Sequence, residues 1–297
     1  MGKHYVKLLL SLLIFSTNGL LVAHIPLSSA EIVLARAALG GLMLLGVLLA
    51  RGGMGEIRSL LRDRAGRRRL LPVLLGGAFL GANWAFLFEA YRWASVSIGT
   101  LLYYCAPILL MLLSPVLFRE KLGWRQLVAI AAMALGMLCI TGSGGEVSTR
   151  GIFCGILAAM FYTGVMLSNK FVRDVGGLES TFVQLITSFF VIILYLLLTG
   201  QGLSPMPDGK AWAAILTLGL VNTGLAYWLY FPSIQKLPGQ TVALCSYLDP
   251  LFALLLAALV LRERMTALQL LGAVGILGGA VLGQLHLGRR QGAGSHK

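Results

Sequence analysis

Apolar runs of about 20 residues alternate along this chain with short polar joints rich in charge, glycine and serine. A run of that length crosses a roughly 30 Å hydrocarbon layer as a single helix. Ten runs can be marked: 5–24, 30–50, 70–90, 96–118, 124–142, 151–168, 178–199, 211–232, 240–261 and 266–288. The ten-residue alternation expected of a membrane barrel strand is absent. The pattern predicts an all-α membrane protein with ten transmembrane helices. The first run leads into a second with no small-residue cleavage site between them, so it reads as a retained span and not as a removed signal peptide.

The chain also repeats itself. YYCAPILLMLLSPVLFREKL (103–122) and SYLDPLFALLLAALVLRERM (246–265) keep a tyrosine, a proline and an Arg-Glu pair in register at an offset of 143. The same offset aligns Gly81 with Gly224, Trp84 with Tyr227, Gln126 with Gln269 and Gly136 with Gly279. Upstream the offset drifts to 148, where Glu31 meets Glu179, Arg36 meets Gln184 and Gly52 meets Gly200. Residues 1–142 therefore form one five-helix repeat and 151–288 a second. The polar stretch SGGEVSTR (143–150) is a linker, and 289–297 is a basic tail. Five spans is an odd number, so the second copy must lie upside down in the bilayer. Inverted repeats characterise secondary transporters, whose site lies at midplane between the halves.

Composition narrows the reading further. The chain is 58% hydrophobic and 12% charged, against about 25% charged for soluble domains. A net charge of +13 invites a nucleic-acid partner, but the placement of the charge argues against one. With the N-terminus inside, 18 of the 24 Lys and Arg fall in the tails and loops of one side and 5 on the other. That bias puts both termini in the cytoplasm. The run from Arg51 to Arg69 is the strongest part of it and reads as a topology determinant lying on anionic lipid. The four cysteines lie in or at the edges of apolar runs without CxxC or metal-type spacing. No HExxH, GxSxG or Walker A motif is present, so no catalytic residue, metal or cofactor is assigned. Uphill transport must then draw on a proton gradient or a counter-substrate.

The paired spans with Pro107 and Pro250, the paired Glu120 and Glu263 beyond them, and the Glu31/Arg36 pattern opening the second span resemble the EamA type of the drug/metabolite transporter superfamily. The resemblance covers nearly the whole chain. It implies a ten-helix inverted-repeat fold, a bacterial inner-membrane location and export of amino acids or other small metabolites. It further implies a central cavity lined by spans 1, 3 and 4 with 6, 8 and 9.

Within that frame, Asp249 is the most informative residue. It falls near the middle of the ninth span, where a carboxylate costs about 2.5–3.5 kcal/mol to insert and so defaults to a functional role. Proton coupling and anchorage of a substrate amine are its candidate functions. Asp-Pro is also a good helix start, with Asp as cap and Pro250 in the first turn. The ninth span then breaks at Pro250, as the fourth does at Pro107. Tyr104 and Tyr247 are repeat equivalents three residues before these prolines, with phenols that need partners at this depth. Asn18, Asn83, Trp84, Tyr162 and Tyr227 complete the candidate substrate-binding set. Trp228 and Tyr230 read as interfacial belt residues.

Arg36 reads as snorkelling, or as pairing with Glu89 or Glu120. Glu120 and Glu263 read as caps at the entries to spans 5 and 10. Gly275, Gly279 and Gly283 form a ridge for close helix packing or a homodimer contact. These readings converge on a secondary-active transporter of small organic metabolites. An integral membrane enzyme or a lipid-handling protein is the alternative.

Overall fold

The computed structural model describes residues 2–62, 64–118, 123–141, 148–172, 175–202, 204–205, 207–234, 236–237 and 239–293. Glu120, linker residues 143–147 and the side chains beyond 282, with the surroundings of Gly283, lie outside the described residues. In chain order the helices are α1 (Gly2–Ser16), α2 (Asn18–Val22), α3 (Ser29–Arg51), α4 (Met54–Arg62), α5 (Arg64–Trp93), α6 (Val96–Tyr103), α7 (Ala106–Phe118) and α8 (Trp124–Thr141). They continue with α9 (Thr149–Phe171), α10 (Gly177–Thr199), α11 (Gly209–Leu216), a π-helical segment (Thr217–Leu225), α12 (Ala226–Ile234), α13 (Gly239–Ser246), α14 (Leu248–Leu259) and α15 (Ala267–Ala293). No strand occurs among the described residues.

Seven helical stretches are long and apolar enough to cross a membrane, and 126–140, 248–259 and 267–282 form shorter apolar helices. Leucines and valines point outward along many of them: Leu42 is 65% exposed, Leu198 77%, Val116 79% and Val274 70%. Apolar exposure on that scale suits lipid, not water.

Helix ends follow local chemistry. Ser28 and Glu31 form a reciprocal capping box at the start of α3. Thr266 and Gln269 do the same before α15, and Gly123 donates to Gln126 at α8. α3 ends at Gly52 with φ 71° and α10 at Gly200 with φ 61°, a left-handed turn that glycine enters without steric penalty.

Three of the marked apolar runs are interrupted: 5–24 at Thr17, 96–118 at Tyr104–Cys105 and 240–261 at Tyr247. In the last two a proline follows within three residues, in the first turn of the next helix, where its missing N–H has no partner to lose. The sequence gives no warning of the break at Thr17.

Packing relies on close approach. α5 lies along α9, α3 along α10 and the π segment, α1 along α12, and α8 along α15. A Cβ on Gly136 would come 2.6 Å from the Gly272 carbonyl oxygen, and one on Gly279 would come 2.8 Å from that of Ala129. Gly275 and Gly279 of the α15 ridge therefore serve close helix packing, against α8 of the same chain.

Candidate functional site

A cavity of about 500 Å³ lies at the centre, within the range usual for small-molecule sites. Its walls come from both halves of the chain, and all three helix breaks open onto it. Asn18 follows the first break, Tyr104 lies at the second, and Tyr247 and Asp249 flank the third. An interrupted helix frees backbone and side-chain groups where a continuous one would present only an apolar face, so polar chemistry can reach membrane depth.

Asp249 accepts a hydrogen bond from the Tyr104 hydroxyl, Oη to Oδ2 2.6 Å. This contact joins α14 to the break after α6, and so the second half of the chain to the first. It also corrects the capping role expected of Asp249. The residue that precedes α14 is Tyr247, no side chain caps that helix, and the Asp249 carboxylate is turned to the cavity. Tyr247 lines the cavity as well, and its buried hydroxyl has no hydrogen-bond partner among the described residues.

Arg36 is the cavity's cation. It is 3% exposed, and its guanidinium lies over the Trp84 ring at 3.9 Å and toward Phe88 at 6.0 Å. Its Nε donates to Thr223 Oγ1 at 2.8 Å. Thr223 belongs to the π segment, where its hydroxyl donates to the Leu218 carbonyl. The widened turn lets α3 approach so closely that a Cβ on Gly40 would meet the Thr223 side chain at 2.5 Å. π segments of this kind recur at functional sites. The expected partner Glu89 is occupied elsewhere: it accepts from Ser29 at 2.8 Å and Trp93 at 2.9 Å and pairs with Arg150 at 3.7 Å. Arg36 does not snorkel and pairs with no acid among the described residues, because its helix carries it inward to the aromatic wall. Arg36 and Asp249 line one cavity within electrostatic reach of each other but form no ion pair within 4 Å.

The other candidates divide. Asn18, Trp84, Tyr104, Tyr162 and Tyr227 line the cavity with Tyr247 and Asp249. Asn222 Nδ2 donates to the Ile14 carbonyl at 2.7 Å, Thr17 Oγ1 at 2.8 Å and Asn18 Oδ1 at 3.2 Å, which secures the break in the first span. Tyr162 stacks on Tyr103 with centroids 4.6 Å apart, and Tyr227 packs on Phe15 at 5.3 Å. Asn83 does not reach the cavity. It is fully buried between α5 and α9 and donates to the Ala158 carbonyl at 2.7 Å.

Several lining residues escaped the sequence reading: Arg36, Tyr91, Thr100, Tyr103 and Tyr230. Tyr230 corrects its reading as a belt residue. Trp228 keeps basic company, with Lys7 at 5.8 Å and Arg51 at 5.9 Å from its ring. For Arg36 the signal was present. A charge inside an apolar run carries the same default as Asp249. Glu263 also differs from expectation. It caps α6 and not α15, accepting from the Val96 and Ser97 amides at 2.8 and 2.9 Å. No cluster of metal-ligating side chains occurs among the described residues.

Comparison with known proteins agrees with this architecture. The EamA-like transporter family matches residues 3–142 and 149–283. "Uncharacterized transporter YxxF" of Bacillus subtilis is 32% identical over 97% of this chain and 90% of its own. "Probable terminal-alkyne amino-acid exporter" of Streptantibioticus cattleyicolor is 27% identical over 82% of this chain and 81% of its own. One solved crystal structure superposes with a TM-score of 0.67 at 20% identity, covering 97% of this chain and 99% of that one, a likeness of fold alone. The chain belongs to the EamA-like transporter family, within the drug/metabolite transporter superfamily, and is a multi-pass membrane transporter of small molecules, not an enzyme.

Proposed function

We propose that this protein is a secondary-active exporter of small organic metabolites of the amino-acid or amine-bearing class. It works by alternating access in the bacterial inner membrane, with both termini cytoplasmic. The single observation that carries this reading is the cavity where Tyr104 of one half holds Asp249 of the other. The name of the Streptantibioticus relative, an amino-acid exporter, supports the substrate class.

Ten spans in two inverted five-helix repeats, 1–142 and 151–288, account best for the packing. Contacts between elements recur with the halves exchanged. α5 on α9 answers α1 on α12, α5 on α10 answers α3 on the π segment, and α7 on α9 answers α1 on α14. The loops behave likewise. After Gly52, Glu56 accepts from the Gly176 amide at the start of α10. After Gly200, Ser204 donates to Glu31 at the start of α3. Glu56 and Ser204 are themselves related by the 148-residue offset. Two matched halves exchange inward-open and outward-open shapes at similar energy, which alternating access requires.

In this scheme Asp249 is the coupling group, taking up and releasing a proton or holding the substrate's amine. Asn18, Trp84, Tyr104, Tyr162, Tyr227 and Tyr247 shape the pocket. The purified chain in sealed liposomes tests the reading. Saturable exchange of labelled amino acids across the bilayer supports a carrier. Linear leak, or no flux for any member of an amino-acid and amine panel, refutes it.

A further inference from the structure

We infer that Arg36 is an anion-binding residue of the transport site, and that the substrate is a zwitterion of the α-amino-acid class, its carboxylate on Arg36 and its ammonium on Asp249. This rests on the transport reading above and adds the charge pattern of the cargo.

Arg36 keeps its charge under all ordinary conditions. It begins about 10 Å along α3 from the first helical residue, at 1.5 Å per residue, and is 3% exposed. A buried cation of this kind is retained where it is paired. The hydrogen bond the structure gives it uses Nε alone, on Thr223. The two Nη groups have no acceptor among the described residues. Stacking on Trp84 at 3.9 Å fixes the plane of the guanidinium. A planar fork held at one edge, with its other edge on a cavity, is the geometry that takes a carboxylate through two parallel hydrogen bonds.

The carboxylates among the described residues do not supply that partner. Glu31 is taken by Ser28 and Ser204, Glu89 by Ser29, Trp93 and Arg150, and Glu263 by two backbone amides. Asp249 faces the same cavity but forms no ion pair with Arg36, and its recorded hydrogen bond is from Tyr104. One cavity thus holds one cation and one anion, each only partly satisfied. A ligand with a single charge would leave the other uncompensated. A zwitterion satisfies both, and the tyrosine wall takes its apolar side chain.

The test uses the full chain in lipid nanodiscs and measures binding of the twenty α-amino acids. Those that bind are compared with their carboxamides, which lack the anion, and their des-amino acids, which lack the cation. Loss of a bidentate charged contact is expected to weaken the carboxamide about 10- to 100-fold. Arg36→Gln should bring the amino acid down to the level of its carboxamide and leave carboxamide binding unchanged, whereas a structural arginine would weaken both alike. Arg36→Lys keeps the charge but not the fork, and is expected to fall between. If Arg36→Gln does not fold, the ligand series on the unaltered protein and on Arg36→Lys decides. Equal affinity for acid and carboxamide, a parallel loss of both in Arg36→Gln, or no binding by any of the twenty overturns the inference. Saturable liposome flux of an amino acid that Arg36→Gln leaves intact would overturn it while leaving the transport reading standing. Absence of saturable flux for every compound would instead remove the transport reading.

Discussion

Glu263→Ala tests how the two halves are fastened. The Glu263 carboxylate, from the segment after α14, accepts from the Val96 and Ser97 amides at 2.8 and 2.9 Å. These are first-turn N–H groups of α6, which have no acceptor within their own helix. The third, on Ile98, is taken by the Ser95 hydroxyl. Both approaches to the clasp are strained. Ser95 has φ 128° and Arg262 φ 56°, the two non-glycine residues with positive φ among those described. Such backbone persists only where surrounding contacts hold it. Two hydrogen bonds to a charged acceptor are worth roughly 1.5–3 kcal/mol each when buried. Glu263 is half-buried, so the pair is discounted to about 2 kcal/mol, or about a 30-fold shift in local opening at 1.4 kcal/mol per tenfold. Hydrogen–deuterium exchange read on a peptide covering 94–101 reports those amides directly. Two protons should exchange about 30-fold faster in Glu263→Ala, with Glu263→Gln intermediate and peptides from α9 unchanged. Exchange within twofold of the unaltered protein at Val96 and Ser97 would refute the clasp.

Four further outcomes are expected. Asp249→Asn should abolish gradient-driven transport while the protein still elutes as a folded species, and full accumulation under a proton gradient would end the coupling role. Tyr104→Phe removes the 2.6 Å bond to Asp249 and should lower transport about tenfold, by the roughly 1.5 kcal/mol of one charge-assisted hydrogen bond; unchanged rates would count against the contact. Gly136→Ala drives a methyl into the backbone of α15 and should cost about 1–3 kcal/mol of stability in a denaturant titration; no loss would mean that α8 and α15 do not pack this closely. Asn222→Leu strips the amide that holds Ile14, Thr17 and Asn18, so exchange at residues 14–18 should rise, and an unmoved profile would show the first span secured by other means.

How far the sequence revealed this arrangement depends on which physical signal each part leaves. Span positions are written in apolar run length, a property of each segment alone, and the long helices fall close to the marked runs. The breaks at Pro107 and Pro250 are legible because proline cannot donate in a helix interior. The break at Thr17 is not, because a side chain 205 residues away secures it. Asp249 stands out as a lone carboxylate in an apolar run, and Tyr104, its partner, as the residue that the 143-residue offset aligns with Tyr247.

Arg36 carries the same signal with the opposite sign, but its place near a span end suggested snorkelling or a pair with Glu89 or Glu120. Its true neighbours, Trp84 and Thr223, come from α5 and the π segment and become visible only once the helices are assembled. Asn83 erred the other way: an amide in an apolar run needs a partner, and the backbone of α9 serves as well as a ligand. Glu263 was readable as a cap, but the helix it caps lies in the other half of the chain.

Access to the cavity from the two sides of the membrane is the most direct test of the transport account. A cysteine in place of Thr100, on the cavity wall, with the four native cysteines replaced, can be challenged with a membrane-impermeant thiol reagent on sealed vesicles of either orientation. Labelling from both faces, each suppressed by bound substrate, is the expected result. Labelling from one face only, in every condition, would contradict alternating access.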